Sequence, residues 1–434
     1  MMNKIALVAL TIILLSFYFF PFSPRAIPVI NTKMLLGGIG LFVICIALAK
    51  NRDAVIDRNF FFLSVIAGII SLIGLFSVYY NNTNDYTYVS YIISMWVWLS
   101  AAYVVVSFMR WVHGSASIFL LCNYLIGVCV AQCILALLID FFEPIGNFVY
   151  SIIDEVTADF MNEKDRLSGL GAGLDVAGTR FSAVLVIIAF MCAKYQLINS
   201  KYLYFYIAAF LIISIVGNMI SRTTSIGMII GILYFAFSAK LSIFNSLAKR
   251  FWMSLLLMVV LFTPIVIYAY LNIPEFYQNL RFGFEGFFSL WEKGRWEVTS
   301  NDVLKNMYVF PETAKTWLIG DGYFNNPVGI DPYYTGEVWK GFYMSTDVGY
   351  LRFIFYFGIL GLLAFIYFMY RVAKTCVTKF PTYKVLFGLL LVINFIVWLK
   401  VSTDIFVVFA PFLCISQEEN DAYMERIALQ EKSE

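Results

Sequence analysis

Apolar residues are grouped along the chain in runs about as long as the hydrocarbon core of a bilayer is thick. A helix that crosses this core needs about 20 consecutive apolar residues. The pattern predicts twelve membrane helices, near residues 5–22, 34–49, 59–80, 87–109, 117–141, 179–197, 202–218, 222–239, 251–271, 347–370, 385–400 and 402–415.

The last two runs are the least distinct, because Lys400 and Asp404 interrupt an apolar stretch that reaches from 385 to 415. The two charges are compatible with a tight outer turn between two helices. They are also compatible with an i,i+4 ion pair inside one long tilted helix. The turn is favoured, because an ion pair at the middle of the bilayer is costly.

Composition supports a membrane protein. The chain of 434 residues is 61% hydrophobic and 13% charged, whereas about a quarter of the residues in a soluble domain are charged. No soluble core could bury this much apolar sequence. The formal net charge is +2, and no block of basic residues is present that would follow a phosphate backbone, so nucleic acid is not an expected partner.

The lysines and arginines of the short loops predict the orientation of the helices, with the N-terminus inside. The expected organisation is nine helices over 1–271 with an outer loop at about 142–178, a large outer loop over 272–346, three helices over 347–415 and an inner tail over 416–434. The chain shows no internal repeat of the kind that transporters carry. Long ordered loops are usually functional, so chemistry is expected in the two outer loops.

The first outer loop contains Arg166, a glycine-rich stretch over 167–173 and Arg180, which is expected where the next helix begins. The glycines lack the Lys-Ser/Thr and the preceding strand of a phosphate-binding P-loop, so a re-entrant turn at the membrane surface is the better interpretation. Two roles stay open for the arginines. They pair with Asp165 and Asp175, or they bind the phosphate of an anionic lipid.

The second outer loop begins with apolar residues at helical spacing over 274–291, which predict an amphipathic helix in the membrane interface. A further helix is expected through Val303, Leu304 and Met307. Aromatic residues follow, and they suit either a membrane-interface belt or the stacking of sugars: Tyr333, Tyr334, Trp339, Phe342 and Tyr343.

Arg222 and Asp347 are the strongest single candidates for chemistry. Arg222 lies between two apolar runs among Ser221, Thr223 and other hydroxyl residues, and a guanidinium binds phosphate oxygens bidentately. A helix-end arginine that reaches the membrane surface is the alternative. Asp347 opens the helix after the second loop, where it either caps that helix or serves as a base.

Several other kinds of site are excluded. The only histidine, His113, is predicted on the inner side, so neither a Ser-His-Asp triad nor a histidine metal cluster is expected in the outer loops. All seven cysteines lie in or next to apolar runs, so no disulfide framework is predicted. Gly227 and Gly231 form a GxxxG pattern, which is typical of closely packed membrane helices.

The order of the short motifs resembles the superfamily of O-antigen polymerases and O-antigen ligases. The similarity is clearest from about 160 to 370, and the motifs follow one another around a single large outer loop. They are Arg166-Leu-Ser-Gly169, Ser221-Arg222-Thr-Thr-Ser-Ile-Gly227, Arg295 with its following helix, Leu318-Ile-Gly-Asp-Gly322, and Asp347 followed by Tyr356-Phe-Gly-Ile-Leu-Gly361.

The resemblance implies an all-α polytopic fold of the GT-C group in a bacterial inner membrane, with the active site facing the periplasm. It implies a glycosyltransferase that joins undecaprenyl diphosphate-linked repeat units into O-antigen or capsular polysaccharide without a metal or other cofactor. Arg166 or Arg180, together with Arg222 and Arg295, would contact the diphosphate. Membrane lipid is an expected partner, and a chain-length regulator is a further partner that stays open.

Two alternatives remain. A ligase that transfers glycan to lipid A-core commonly carries a histidine-asparagine pair before the helix that follows the large loop, and this chain has Thr346-Asp347 there. That departure favours the polymerase. A flippase or exporter of lipid-linked glycans would need charges along a central cavity, and the predicted spans are nearly free of charge.

Overall fold

The computed structural model describes residues 4–49, 58–163, 166–195, 200–238, 246–327 and 341–433. Regular structure in these ranges is entirely helical, with three isolated β-bridges. The α-helices are α1 (Lys4–Phe19), α2 (Thr32–Ala49), α3 (Arg58–Asn81), α4 (Tyr91–His113), α5 (Ile118–Phe141), α6 (Glu143–Ile152), α7 (Glu155–Glu163), α8 (Leu174–Tyr195), α9 (Ser200–Ile220), α10 (Thr224–Ser238), α11 (Ser246–Asn272), α12 (Pro274–Gly283), α13 (Glu285–Lys293), α14 (Thr299–Asn306), α15 (Ala314–Ile319), α16 (Gly349–Lys379), α17 (Lys384–Val397), α18 (Phe406–Leu413) and α19 (Gln417–Ser433).

The chain is a multi-pass α-helical membrane protein. Eight of the described helices are long and apolar enough to cross a bilayer, namely most or all of α2, α3, α4, α5, α8, α9, α11 and α16. Three shorter apolar helices, over Ile5–Phe19, Thr224–Ser238 and Pro381–Val397, lie in other predicted spans. The remaining predicted span holds only α18, which has eight residues. Twelve crossings therefore stay a prediction.

The core of the bundle lies around α8. Nearly all of the apolar stretch of α8 is buried, and the helix packs against α5, α9, α10 and α17. By contrast, α11 is almost wholly exposed and packs only against α9 and α12 among the pairs with extensive contact. A Cβ atom on Gly227 of α10 would lie 2.2 Å from the Cα atom of Ser182. The close-packing role predicted for Gly227 is therefore confirmed.

The two long connections lie at the same end of the bundle, here called the loop end. The first comprises α6, α7 and the turn up to Gly173, and the second runs from Ile273 to Val348. Asn279 in α12 donates a hydrogen bond of 3.0 Å to Asp140 at the end of α5, which holds the second connection next to the point where the first begins.

Two predicted boundaries at the loop end were wrong. Helix α8 begins at Leu174 and not near 179, so Asp175 lies in its first turn. The predicted interfacial helix over 274–291 is two helices, α12 and α13, which meet at Phe284. The helix expected through Val303, Leu304 and Met307 is α14, which ends at Asn306 with Met307 as its C-cap residue.

Helix α16 is interrupted two turns after its start. Phe357 and Gly358 leave helical geometry, with Gly358 at a φ of 69°. The carbonyl groups freed by the break accept hydrogen bonds from the second loop. The N–H of Asp321 donates to the carbonyl oxygen of Phe355 at 2.6 Å, and the N–H of Gly322 donates to that of Tyr356 at 3.2 Å.

Glycine makes this approach of two backbones possible. A Cβ atom on Gly320 would lie 2.6 Å from the carbonyl oxygen of Tyr356, and one on Gly358 would lie 2.2 Å from that of Leu318. We call this contact the glycine joint. It consists of Gly320, Gly322 and Gly358 and the backbone segments that they contact. The two glycine-containing sequence motifs after Arg295 therefore pack against each other.

Helices α17 and α18 form an antiparallel hairpin. The N–H of Ile405, next to the start of α18, donates to the side chain of Asn394, near the end of α17. The ring of Phe387 packs against that of Phe412 at the other end of both helices. The segment between Val397 and Phe406 is not α-helical. The predicted turn is therefore confirmed, and Lys400 lies within it.

Candidate functional site

The centre of the site is the carboxylate of Asp175. Its Oδ1 atom accepts hydrogen bonds from Ser221 Oγ at 2.9 Å and from Thr223 Oγ1, and it pairs with Lys400 Nζ at 2.9 Å. Asp175 lies in the first turn of α8, where the helix dipole favours a negative charge. The site thus joins α8, the turn between α9 and α10, and the turn between α17 and α18.

Arg222 lies next to this centre, in the turn between α9 and α10. Its guanidinium pairs with Glu285 at 2.7 Å, donates to the carbonyl oxygen of Phe282 at 2.8 Å and donates to Ser300 Oγ at 2.9 Å. Only 15% of the side chain is exposed. Burial lowers the pKa of Arg222 from its usual value, and Glu285 opposes that shift. Arg222 is therefore enclosed by the second loop and does not extend along the membrane surface.

Arg166 lies beside Arg222. The guanidinium of Arg166 is 4.5 Å from the centre of the Phe282 ring, and that of Arg222 is 4.1 Å from the same ring. Stacking on one aromatic ring holds two like charges near each other, because the π-face attracts each of them. Asp165, which the sequence offered as a partner for Arg166, lies outside the described residues.

Arg180 does not reach this cluster. It lies inside α8 and is 5% exposed, among the rings of Phe19, Phe20 and Trp98, whose centres are 5.6 to 5.9 Å from its guanidinium. The sequence placed Arg180 at the start of a helix and suggested Asp175 as its partner. Because α8 begins five residues earlier than predicted, Arg180 lies below the loop end, and Asp175 pairs with Lys400.

Arg295 is also separate from the cluster. Its side chain is 72% exposed, and its Nε atom pairs with Glu297 at 2.7 Å. The cavity walls next to Arg222 contain the neighbouring Trp296 and Glu297, but Arg295 does not contribute to them. Of the four arginines expected at the diphosphate, the structure brings together Arg166 and Arg222.

Asp347 does not cap α16. Val348 holds the N-cap position, and its side chain makes no capping hydrogen bond. Among the described residues, the cation paired with it is Arg352, whose Nη1 atom is 4.0 Å from Asp347 Oδ1. Burial raises the pKa of Asp347 to about 6, a shift that Asp175 reinforces and that Arg352 and Lys400 oppose. The Asp175–Lys400 pair and Asp347 are therefore electrostatic neighbours.

Arg352 is a residue of the site that the sequence interpretation missed. Its guanidinium lies 3.6 Å from the ring centre of Phe324 and 3.8 Å from that of Phe342, and it donates to Ser402 Oγ at 2.9 Å. The available signal was an arginine inside an apolar run, which is rarely found without a function. The predicted aromatic residues Tyr333, Tyr334 and Trp339 lie outside the described residues.

A cavity of about 280 Å³ opens beside Arg222 and Lys400. Its polar wall carries hydroxyl and amide groups, and its other wall is the apolar surface of α10. The polar lining includes Asn218, Thr223, Ser225, Ser300 and Asn301, and the apolar lining includes Ile226, Met228 and Ile229. About half of the surface of Ile229, and of Ile232 and Leu233 below it, is exposed on the outside of the bundle. The cavity therefore joins a polar surface with two cations, Arg222 and Lys400, and one carboxylate, Glu285, to a lipid-facing helix.

Comparison of the chain with models of protein families, with curated proteins and with solved structures found no match in any of the three. Within the described ranges, no group of three or more histidine, cysteine, aspartate or glutamate residues is placed to hold a metal ion.

Proposed function

We propose that this protein is a glycosyltransferase of the bacterial cytoplasmic membrane. It joins undecaprenyl diphosphate-linked oligosaccharide repeat units into O-antigen or capsular polysaccharide, with the loop end facing the periplasm. Twelve crossings and a GT-C-like arrangement are part of this proposal. The observation that carries it is the cavity beside Arg222, whose polar wall holds Arg222, Lys400 and Glu285 and whose other side continues into the lipid-facing surface of α10.

The cavity suits an amphiphile with an anionic head and a long apolar tail. The head would bind Arg222, because a guanidinium forms charge-assisted hydrogen bonds with phosphate oxygens. Arg166, which shares the Phe282 ring with Arg222, adds positive potential nearby. The tail would extend along the exposed apolar residues of α10, which already face lipid. A polyprenyl diphosphate has this combination of charge and length.

The reaction exchanges one bond at the anomeric carbon for another. A hydroxyl oxygen of the acceptor repeat attacks the anomeric carbon of the donor repeat, and the bond from that carbon to the diphosphate oxygen breaks. Undecaprenyl diphosphate leaves with the bonding electron pair. Negative charge on the diphosphate increases in the transition state, so fixed cations such as Arg222 lower the barrier. No nucleotide sugar is consumed.

Asp347 is the proposed base for the acceptor hydroxyl. A general base is most effective when its pKa lies near the working pH, and burial raises the pKa of Asp347 to about 6. The residue makes no hydrogen bond with the described part of the chain, and the cation paired with it there, Arg352, is 4.0 Å away. The carboxylate is therefore available to accept the proton that the hydroxyl releases.

The test is polymerisation in a defined membrane. The purified protein in nanodiscs is given its undecaprenyl diphosphate-linked repeat unit, without nucleotide or metal, and the products are separated on a gel. A ladder of repeat multiples is expected. Unchanged substrate, with folded protein and verified substrate, would contradict the polymerase.

Lipid A-core added to the same reaction distinguishes the ligase. Transfer of glycan to that acceptor with no ladder would replace polymerisation by ligation. Movement of the lipid-linked glycan across a sealed vesicle, with no change in its mass, would instead identify a flippase. Each alternative therefore predicts a result that differs from that of the polymerase.

A further inference from the structure

Lys400 lies in the turn between α17 and α18 and reaches the same cavity as Arg222. Its ammonium is 2.9 Å from Asp175 Oδ1 and 3.1 Å from Thr223 Oγ1. An ammonium has three N–H donors, so these two contacts leave one donor unused. About a quarter of the side chain is exposed. Lys400 is therefore a cation fixed by Asp175 and Thr223, and among the described residues its third N–H donor has no partner. It lies beside an open cavity.

Arg222 supplies the other cation of this cavity. Three of its five N–H donors are engaged, by Glu285, Phe282 and Ser300. Glu285 also neutralises much of its charge, and Asp175 does the same for Lys400. Both carboxylates also accept hydrogen bonds from other groups, Glu285 from Thr299 and Asp175 from Ser221 and Thr223. Each of the two cations is therefore paired with one shared carboxylate and keeps donors that face the cavity.

The break between α17 and α18 explains how a lysine reaches this position. A lysine inside a continuous membrane helix is costly unless it is paired or hydrated. Here the chain leaves helical geometry between Val397 and Phe406, and Lys400 emerges next to α8 and the α9–α10 turn. The alternative partner on the same element, Asp404, is an electrostatic neighbour of Lys33 and Arg180 and accepts a hydrogen bond from the N–H of Phe406.

We infer that Lys400 binds the diphosphate of the lipid-linked substrate together with Arg222, and that Asp175 is the positioning residue that holds the lysine at the cavity. This inference rests on the proposed function. A flexible point charge complements a fixed guanidinium, because it can follow the phosphate oxygens as the bond to the sugar lengthens. The leaving diphosphate would then be stabilised from the α10 side by Arg222 and from the α17–α18 side by Lys400.

Binding of undecaprenyl diphosphate to the protein in nanodiscs tests this directly, because it needs no turnover. Lys400→Met and Asp175→Asn form a matched pair, since each removes the same ion pair and only the first removes the cation. Both should lower the melting temperature. We expect Lys400→Met to weaken binding about 10-fold to 100-fold, the usual range for a charge-assisted hydrogen bond. Asp175→Asn should weaken binding only a few-fold.

Lys400→Arg and Lys400→Gln complete the design. The first keeps the charge and should restore most of the binding, and the second keeps a hydrogen bond to Asp175 without the charge and should not. Equal losses from Lys400→Met and Asp175→Asn, or rescue by Lys400→Gln, would reduce Lys400 to a structural partner and overturn the inference. If Lys400→Met does not fold, the comparison of Lys400→Gln with Lys400→Arg decides the question.

The two proposals can fail separately. Lysine-dependent binding of undecaprenyl diphosphate without a product ladder would contradict the polymerase and leave the diphosphate site in place. A ladder from the wild-type protein, with binding that does not depend on Lys400, would contradict only the role of the lysine.

Discussion

The glycine joint and the charged site lie at the same end of the bundle, yet they are held together in different ways. In the glycine joint, backbone contacts backbone, and Asp321 and Gly322 satisfy the carbonyl groups that the break in α16 frees. In the charged site, side chains from separate elements meet around Asp175, and a cavity stays open between Arg222 and Lys400.

The glycine joint has a structural role, whereas the charged site is suited to bind a ligand. The glycine joint has no room for a Cβ atom at Gly320 or Gly358, so it is specified by shape and admits no ligand. In the charged site, carboxylates and cations are only partly exposed. Removing charges from water is costly unless it serves binding or catalysis. Two kinds of short sequence motif, one built on glycine and one on arginine, therefore have different roles.

The largest effect is expected in the glycine joint. Gly358→Ala places a Cβ atom 2.2 Å from the carbonyl oxygen of Leu318 at a residue with a φ of 69°. Overpacking together with left-handed geometry should cost on the order of 3 kcal/mol. Thermal unfolding of the purified protein measures it. Gly388→Ala in α17, where a Cβ atom meets nothing within 4 Å, is the control and should be neutral or stabilising. An unchanged melting temperature for Gly358→Ala would contradict the prediction that the glycine joint has no space for a Cβ atom.

The charged site should show the opposite behaviour, with activity lost and folding kept. Arg222→Ala should reduce polymer formation about 100-fold to 1000-fold, the usual effect of removing a group that stabilises transition-state charge. Arg222→Lys should also be poor, because a point charge cannot replace the fork of donors. Initial rates in nanodiscs measure both variants.

Glu285→Gln is the control for Arg222, since it removes the ion pair at 2.7 Å and keeps the guanidinium. It should retain far more activity than Arg222→Ala. Normal polymer from a folded Arg222→Ala protein would exclude a phosphate role for this residue.

A smaller loss is expected at Asp347. Asp347→Asn should lower the rate about 100-fold, near the lower limit for removing a general base. In the wild-type protein, burial disfavours the carboxylate and raises the pKa of Asp347 to about 6. The protonated form cannot accept a proton, so the rate should fall as the pH is lowered through about 6. Initial rates between about pH 5 and 8 measure this limb, and a limb that persists in Asp347→Asn would assign it to another group.

The smallest effect is expected at Arg295. Its side chain is 72% exposed and pairs with Glu297, and Arg295 itself does not line the cavities next to Arg222. Exposed ion pairs contribute about 1 kcal/mol or less, so Arg295→Ala should leave both the melting temperature and the ladder almost unchanged. A loss as large as that of Arg222→Ala would show that the second loop rearranges to bring Arg295 to the substrate.

The apolar runs predicted the membrane helices closely where charges are absent. The run near 59–80 corresponds to α3 (Arg58–Asn81), and the run near 117–141 corresponds to α5 (Ile118–Phe141). The start of α8 was missed, because hydropathy excludes Asp175 from a membrane helix and places Arg180 at the helix end. The folded chain accommodates both, with Lys400 and two hydroxyl groups around Asp175 and with three aromatic rings around Arg180.

The candidate site could be predicted only in part, for a related reason. Arg166, Arg222 and Asp347 were found because each stands out in its local sequence. Lys400 and Arg352 belong to the site through partners that are distant along the chain, since Lys400 pairs with Asp175 and Arg352 bonds to Ser402. One sequence contains no signal for such pairs until the helices are packed together.

The hairpin of α17 and α18 has a consequence for biogenesis. At 1.5 Å per residue, α17 with 14 residues is about 21 Å long and α18 with eight residues is about 12 Å long. Each helix alone is shorter than a hydrocarbon core of about 30 Å, so the proposed twelve crossings need non-helical backbone within these two spans. The non-helical segment between them needs partners for its polar backbone, and lipid offers none. Because helices synthesised earlier must already surround this hairpin, its insertion into the bilayer is coupled to their assembly and should follow it.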